Sequence, residues 1–401
     1  METRGRVGRK PEVRGSRDPG RIVRWVSVVG ARPQFIKLAP LCRAIEAHNQ
    51  AGQSPVIEHR IIHTGQHYDR EMAELFFVQL RLPEPDYTLE VGSGSHGKQI
   101  ARILERMEPA LLKERPDWIV VYGDTNSTLA GALLAARMFI PLAHVEAGCR
   151  SYNRRMPEEQ NRVVTDHLSQ LLLAPTQSTV ENLWREGIGL PNDPLRRTVA
   201  FTGDIMYDAL LANLKLAERR IGENLEEFGL EKDRFYLLTL HRAENTDCPE
   251  RLRSIVQTLE ALDLPVLFPV HPRTRKVLSA SRISLDNGNI RIVPPIGYLD
   301  MLALEKNARK ILTDSGGVQK EAFYLKVPCV TLRDETEWPE TVECGLNQTT
   351  GVDRDKILAA VRAPHPNLER SASIFGTGEA SKRILDELLS AGTRRPDPSD
   401  S

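Results

Sequence analysis

Short apolar runs alternate with longer amphipathic stretches along nearly the whole chain, which is the pattern of an α/β protein. Arg24–Val29 predicts the first strand. It stops at Gly30, and Ala-Arg32-Pro33-Gln34-Phe-Ile-Lys37 then leads into a helix through about Glu46. Glu58–His63 predicts a second strand. Arg70–Leu80 predicts a helix, with Met72, Leu75, Phe76 and Leu80 at helical spacing. Trp118–Tyr122, Leu142–Val145, Leu171–Ala174 and Val199–Phe201 continue the series. These runs are apolar throughout rather than alternating, as parallel strands covered on both faces are.

A second series begins after Arg234. Tyr236–Thr239 ends at His241-Arg242, Val266–Val270 at His271, Ile290–Val293 at Pro294, and Lys310–Thr313 at Asp314-Ser315-Gly316-Gly317. Pro328–Leu332 follows, ending at Arg333, and Glu379–Leu389 predicts a last helix. Two such series imply two doubly wound sheets facing a cleft. The expected division is a basic, disordered extension over 1–21, a first domain over 22–195 and a second over 196–370. A C-terminal helix over 371–392 would pack back on the first domain, and 393–401 would form a disordered tail.

Charge changes this picture little. Fifty-four basic and 54 acidic residues cancel, which excludes a general affinity for nucleic acid or anionic membrane. No segment reaches the ~20 apolar residues of a membrane span. The five cysteines are odd in number and form no C-x-x-C pair, so a reducing, cytoplasmic setting is expected. Cys149 reads as a small buried residue rather than a nucleophile. No His/Cys/Asp cluster has metal-ligand spacing. Gly92-Ser-Gly94-Ser-His-Gly97 matches G-x-G-x-x-G but does not follow the first strand, so it reads as a loop before a helix rather than a dinucleotide fingerprint.

The candidate chemistry lies at predicted strand ends. Ala143–Arg162 holds Glu146 just after a strand and Pro157-Glu158-Glu159 at a predicted helix start, with Arg150, Arg154 and Arg155 between them. Paired carboxylates among cations suit proton transfer on an anionic substrate. Asp124 follows Trp118–Tyr122 and reads either as a strand-end acid or as a helix cap. Ser315-Gly316-Gly317 before a helix is a phosphate cradle, because main-chain N–H groups and the helix dipole both favour an anion. Glu321, six residues on, is placed to meet a ribose hydroxyl.

Six segments together carry a resemblance: Gly-Ala-Arg32-Pro-Gln-Phe-Ile-Lys37, Tyr-Gly-Asp124-Thr-Asn-Ser-Thr, His-Val-Glu146-Ala-Gly-Cys-Arg150, Pro-Glu158-Glu-Gln-Asn-Arg, Leu-His241-Arg-Ala-Glu-Asn and Asp-Ser315-Gly-Gly-Val-Gln-Lys-Glu321. From about Arg24 to Leu389 the chain resembles the non-hydrolysing UDP-N-acetylglucosamine 2-epimerases. The resemblance implies a GT-B type fold of two Rossmann-like domains. It also implies that Arg32 contacts phosphate and that Lys37 serves binding and catalysis. Asp124, Glu146 and Glu158 would move protons, and His241 would lie near the diphosphate. Ser315, Gly316, Gly317 and Glu321 would hold UDP, Arg333 would face the cleft and bind substrate, Arg150 is expected to bind it too, and His241 is expected to serve catalysis as well as binding. A UDP-sugar is the implied partner, no cofactor is needed, and a homodimer is expected.

Several segments depart from the family's commonest form. Gly-Ala-Arg32-Pro-Gln34 stands for Gly-Thr-Arg-Pro-Glu, and Gln66-His67-Tyr68-Asp69 and Arg333-Asp-Glu-Thr-Glu-Trp338 also vary. These variants resemble the branch containing the 2-epimerase of UDP-2,3-diacetamido-2,3-dideoxyglucuronate, so the sugar stays open. Gln66 and His67 also match a motif by which some members bind an activating second UDP-GlcNAc. A GT-B glycosyltransferase and a non-catalytic nucleotide-sugar sensor are the competing readings. Neither calls for three proton-transfer carboxylates.

Overall fold

The computed structural model describes residues 21–66, 77–270, 272–281, 289–366 and 373–392. The extension before Arg21, His67, Tyr68, Asp69, the Arg70–Phe76 part of the second helix, His271 and the tail after Gly392 lie outside the described residues.

Seven strands form the first sheet: β1 (Ile22–Val29), β2 (Val56–His63), β3 (Tyr87–Thr88), β4 (Trp118–Tyr122), β5 (Leu142–Val145), β6 (Leu171–Ala174) and β7 (Thr198–Phe201). All pairings are parallel, in the order β3-β2-β1-β4-β5-β6-β7. The second sheet contains β8 (Tyr236–Thr239), β9 (Val266–Pro269), β10 (Ile290–Val293), β11 (Lys310–Thr313), β12 (Cys329–Thr331) and β13 (Asn347–Thr349). Its order is β10-β9-β8-β11-β12-β13, again parallel throughout.

Each sheet has an apolar layer on both faces, which is why its strands read as unbroken apolar runs. Val120, Tyr122 and Val145 point into one layer of the first sheet, and Val121, Ile119 and Leu142 into the other. Leu238 and Leu312 divide in the same way from Leu237 and Ile311 in the second sheet.

One boundary must be corrected. β7 pairs with β6 and belongs to the first sheet, so the first unit continues beyond residue 195. The intervening Pro191 and Pro194 mark a surface loop, not a division between domains. The helix Ile205–Glu227 makes the crossing instead, packing on both the helix Arg32–Gln50 and the helix Tyr298–Asn307. The chain then returns: the helix Ala380–Ala391 inserts Ile384, Leu385 and Leu388 beside Phe35 and Leu38 of the first unit.

The outgoing and returning segments touch. Asp204 N–H donates to Phe375 O at 2.9 Å, and Gly203 and Gly376 face each other with φ of 82° and 86°. A Cβ on Gly203 would lie 2.9 Å from Phe375 O, and one on Gly376 would lie 3.0 Å from Gly203 Cα, so neither position accepts a side chain without movement.

Candidate active site

Each sheet reverses its winding at one point, where open α/β sheets bind ligands. In the first sheet the reversal lies between β1 and β4, whose carboxyl ends lead to Arg32 and Asp124. In the second it lies between β8 and β11, which lead to His241 and Ser315. The topology therefore assembles most of the candidate residues from four separated segments. Gly123 ends β4 with a φ of 61°, and a Cβ there would meet Lys37 Nζ at 3.0 Å.

Glu146 follows β5 in a left-handed conformation, φ 72°. For a residue with a Cβ this costs ~1–2 kcal/mol, and such strain concentrates at functional sites. Lys37 Nζ donates to one carboxylate oxygen at 2.6 Å and Lys320 Nζ to the other at 2.6 Å. Burial pushes the Glu146 carboxyl upward, but Lys320 and then Lys37 outweigh it and hold it down at about 2. Lys320 comes from the helix Gly316–Leu325 of the second unit. Its ammonium also pairs with Asp204 at 2.6 Å and lies 4.2 Å from the centroid of the Trp338 ring.

The other two candidate carboxylates are more open. Arg162 Nη2 donates to Asp124 at 2.6 Å, and Arg242 Nη1 crosses from the second unit to donate to Glu158 at 2.8 Å. The side chains of Asp124 and Glu158 are 31% and 34% exposed, against 9% for Glu146. Asp124 is not the helix cap, since that position belongs to Thr125, whose hydroxyl accepts from Thr128 N–H. Glu159, next to Glu158, accepts from the Ser151 and Tyr152 N–H groups and fixes the loop.

On the second unit, the half-exposed His241 imidazole lies 3.1 Å from the buried Asp314, which also accepts from the His241 and Arg242 N–H groups. Ser315 caps the helix Gly316–Leu325 through its hydroxyl, so Gly316 and Gly317 form the helix's first turn. A Cβ on Gly316 would come within 3.3 Å of Trp338 Nε1. These are the main-chain donors and positive helix end that an anion requires.

Glu321 is buried behind this cradle. Burial raises its carboxyl to about 7, with Arg32 and Lys320 pulling the other way. Glu305, fully buried, is raised well above the usual range by burial and by Glu321. Burial lowers the Arg32 guanidinium, while Glu321, Glu305 and Tyr298 support its charge. Both carboxyls are thus pushed towards their protonated forms, with Arg32 as the cation between the units.

Two arginines are largely committed to partners within the chain. Arg150 is buried, bidentate to Glu186 at 2.7 and 2.8 Å, and reaches Asp166 and Cys149 O at 2.7 Å. Arg333 is only 2% exposed and pairs with Glu244 and Glu337, its remaining arm touching Met156 Sδ across the seam. Sequence reasoning missed Lys320, Asp204, Arg162, Arg242, Tyr298 and Glu305. Lys320 and Arg242 stood inside the quoted segments, each beside a named residue, and that adjacency was the available signal. Gln34, the departure in the first segment, accepts from the Gly30 and Ala31 N–H groups and donates to Tyr122 O, so it is a turn brace.

Residues 49–389 match a family model described as UDP-N-acetylglucosamine 2-epimerase. A Methanococcus maripaludis protein named UDP-N-acetylglucosamine 2-epimerase homolog is 50% identical over 90% of this chain and 98% of its own length. The UDP-2,3-diacetamido-2,3-dideoxy-D-glucuronate 2-epimerase of Pseudomonas aeruginosa is 43% identical over 90% of this chain and 98% of its own length. Among solved structures, the Methanocaldococcus jannaschii UDP-GlcNAc 2-epimerase in complex with UDP-GlcNAc and UDP matches with a TM-score of 0.82 and 45% identity, over 92% of this chain and all of that one.

Proposed function

The chain belongs to the UDP-N-acetylglucosamine 2-epimerase family, and we propose that it is an isomerase interconverting UDP-GlcNAc and UDP-ManNAc by elimination and re-addition of UDP. The observation that carries this reading is that the second unit reaches the first unit's carboxylates from beside the cradle, Lys320 of the cradle helix bonding Glu146 and Arg242 bonding Glu158.

The hydrogen on C2 of an N-acetylhexosamine is not acidic, so a carboxylate alone cannot remove it at neutral pH. Departure of UDP from C1 gives that carbon oxocarbenium character and makes the C2 proton labile. The C1–O and C2–H bonds break, a C1=C2 double bond forms, UDP leaves with the electron pair, and a carboxylate takes the proton. The cradle amides, the helix dipole and Arg32 stabilise the departing diphosphate, and Glu321 is placed for the ribose. Return of a proton to the opposite face of C2, followed by re-addition of UDP, gives the epimer. Two faces require carboxylates on both sides, and three stand on the first unit's wall.

Proton NMR in deuterated water tests this reading. UDP-GlcNAc should yield UDP-ManNAc to equilibrium with deuterium at C2, and free UDP with 2-acetamidoglucal should leak in small amounts. Product that keeps its original C2 hydrogen would overturn elimination. UDP-2,3-diacetamido-2,3-dideoxyglucuronate belongs in a parallel arm, because the Pseudomonas relative is named for it; its faster turnover would reassign the sugar and leave the chemistry intact. The five described cysteines are all free, which supports a reducing cytoplasm, and a homodimer is the assembly to test by light scattering.

A further inference from the structure

We propose that Lys320 is a positioning residue for the epimerisation: reaching from the cradle helix of the second unit, it fixes the Glu146 carboxylate as the proton acceptor and ties that role to closure of the two units. The inference rests on the 2-epimerase reading above.

Lys320 is 1% exposed, and its ammonium sits between Glu146 and Asp204 at 2.6 Å each, with the Trp338 ring as a third side. Burying an ammonium is costly unless its donors are matched, so a lysine kept here is held by these partners. The four charged groups Lys37, Lys320, Glu146 and Asp204 sum to zero. A proton on Glu146 would leave that group with an excess positive charge, and this opposes protonation until the departing diphosphate supplies the compensating negative charge. Once C2 has given up its proton, the same excess charge stands at the base of the helix that cradles the departing diphosphate. The charge is therefore created when the leaving group needs it.

Other charged groups face this point. Tyr324 donates to Asp204 at 2.6 Å, Glu321 is the next residue on the cradle helix, and Cys149 donates to Glu146 O at 3.8 Å, with Asp124 and Arg162 beyond Cys149. Of these, Lys37 and Lys320 supply the cations bonded to Glu146. Lys37 lies on the same unit as Glu146, so among the described residues Lys320 is the cation from the other unit that bonds Glu146.

The test is the pH profile of kcat at saturating UDP-GlcNAc for the parent, Lys320→Met and Lys320→Arg, with UDP affinity measured alongside. Lys320→Met is expected to lower kcat at pH 7 about tenfold to a hundredfold. Its acidic limb should move up by about one pH unit or more, because a buried carboxylate that loses a cation protonates more readily. KM should change less than kcat, and Lys320→Arg should keep the limb near the parent's. Coincident acidic limbs in Lys320→Met and an active parent would overturn the inference. A parent inactive on both sugars would overturn the functional reading instead. Should Lys320→Met fail to fold, the parent still decides: a ¹³C-carboxyl NMR signal of Glu146, assigned by Glu146→Gln, is expected to stay ionised well below pH 4.5. Titration at the ordinary glutamate value overturns the proposal.

Discussion

Two buried carboxylate sites flank the helix Gly316–Leu325, and the fold drives them in opposite directions. Glu146 accepts from two ammonium groups at 2.6 Å, one of which it shares with Asp204, and its carboxyl is held down at about 2. Glu321 and Glu305 share the guanidinium of Arg32, with Lys320 a further pull on Glu321, and burial then wins, so Glu321 rises to about 7 and Glu305 is raised well above the usual range. Both sites are desolvated, so burial alone does not decide the protonation state of an acid. The number of cations per carboxylate decides it, and neighbouring residues on one helix, Lys320 and Glu321, serve the two opposite outcomes.

The largest effect expected from this comparison is on chemistry. Glu146→Gln keeps the shape and removes the titrating group, so turnover should fall by about 10²-fold or more. UDP affinity should be nearly unchanged, because the cradle lies on the other unit. Parent-like turnover would remove Glu146 from proton transfer. Next comes a control cluster on the same strand end. Arg150→Met leaves Asp166 without its arginine, and breaking such a buried pair costs about 3–5 kcal/mol of stability. Denaturant melts should register this, while KM for the UDP-sugar stays close to the parent's if Arg150 is a brace.

A smaller change is expected at the Glu305–Glu321 site. Glu321→Gln should raise KM by roughly tenfold, the worth of a hydrogen bond to a charged group, with less effect on kcat. The smallest effect is a pH dependence of stability. Glu146, depressed from 4.5 to about 2, contributes stability that is complete above about pH 4.5 and is lost as pH falls towards 2. Glu321, raised from 4.5 to about 7, does the reverse: its contribution is complete below about pH 4.5 and is lost as pH rises through 7. Glu305→Gln removes the second claimant on Arg32. The variant should therefore gain on the parent at pH 8 relative to pH 5, by about 1.4 kcal/mol for each unit that Glu321 falls. Parallel stability profiles would mean that the two carboxyls do not compete.

The sequence made the strand ends legible, because apolar runs stop abruptly at Gly30, Gly123, Glu146, His241 and Asp314, and doubly wound sheets bind ligands there. Strands β3 and β13 were missed because Tyr87–Thr88 and Asn347–Thr349 are two and three residues long, with no apolar run to read. Glu305 was invisible because it sits in Tyr298–Asn307, a helix buried on most sides, where an acid has no distinguishing spacing. The surroundings of Arg150 were not legible for a physical reason. A substrate-binding arginine and a structural one both stand near acids in the sequence, and only three dimensions show that Asp166 and Glu186 have already claimed it.

The close approach of Gly203 and Gly376 has a consequence for motion. The chain passes between the units once outward near Asp204 and once back near Phe375, and these passages lie side by side. Two leaves sewn along one spine are tied at that line against sliding past each other. Asp204 stands on the spine itself. Lys320 therefore holds one acid at the spine, Asp204, and one away from it, Glu146, so that a single buried ammonium bridges the seam and the wall of the site.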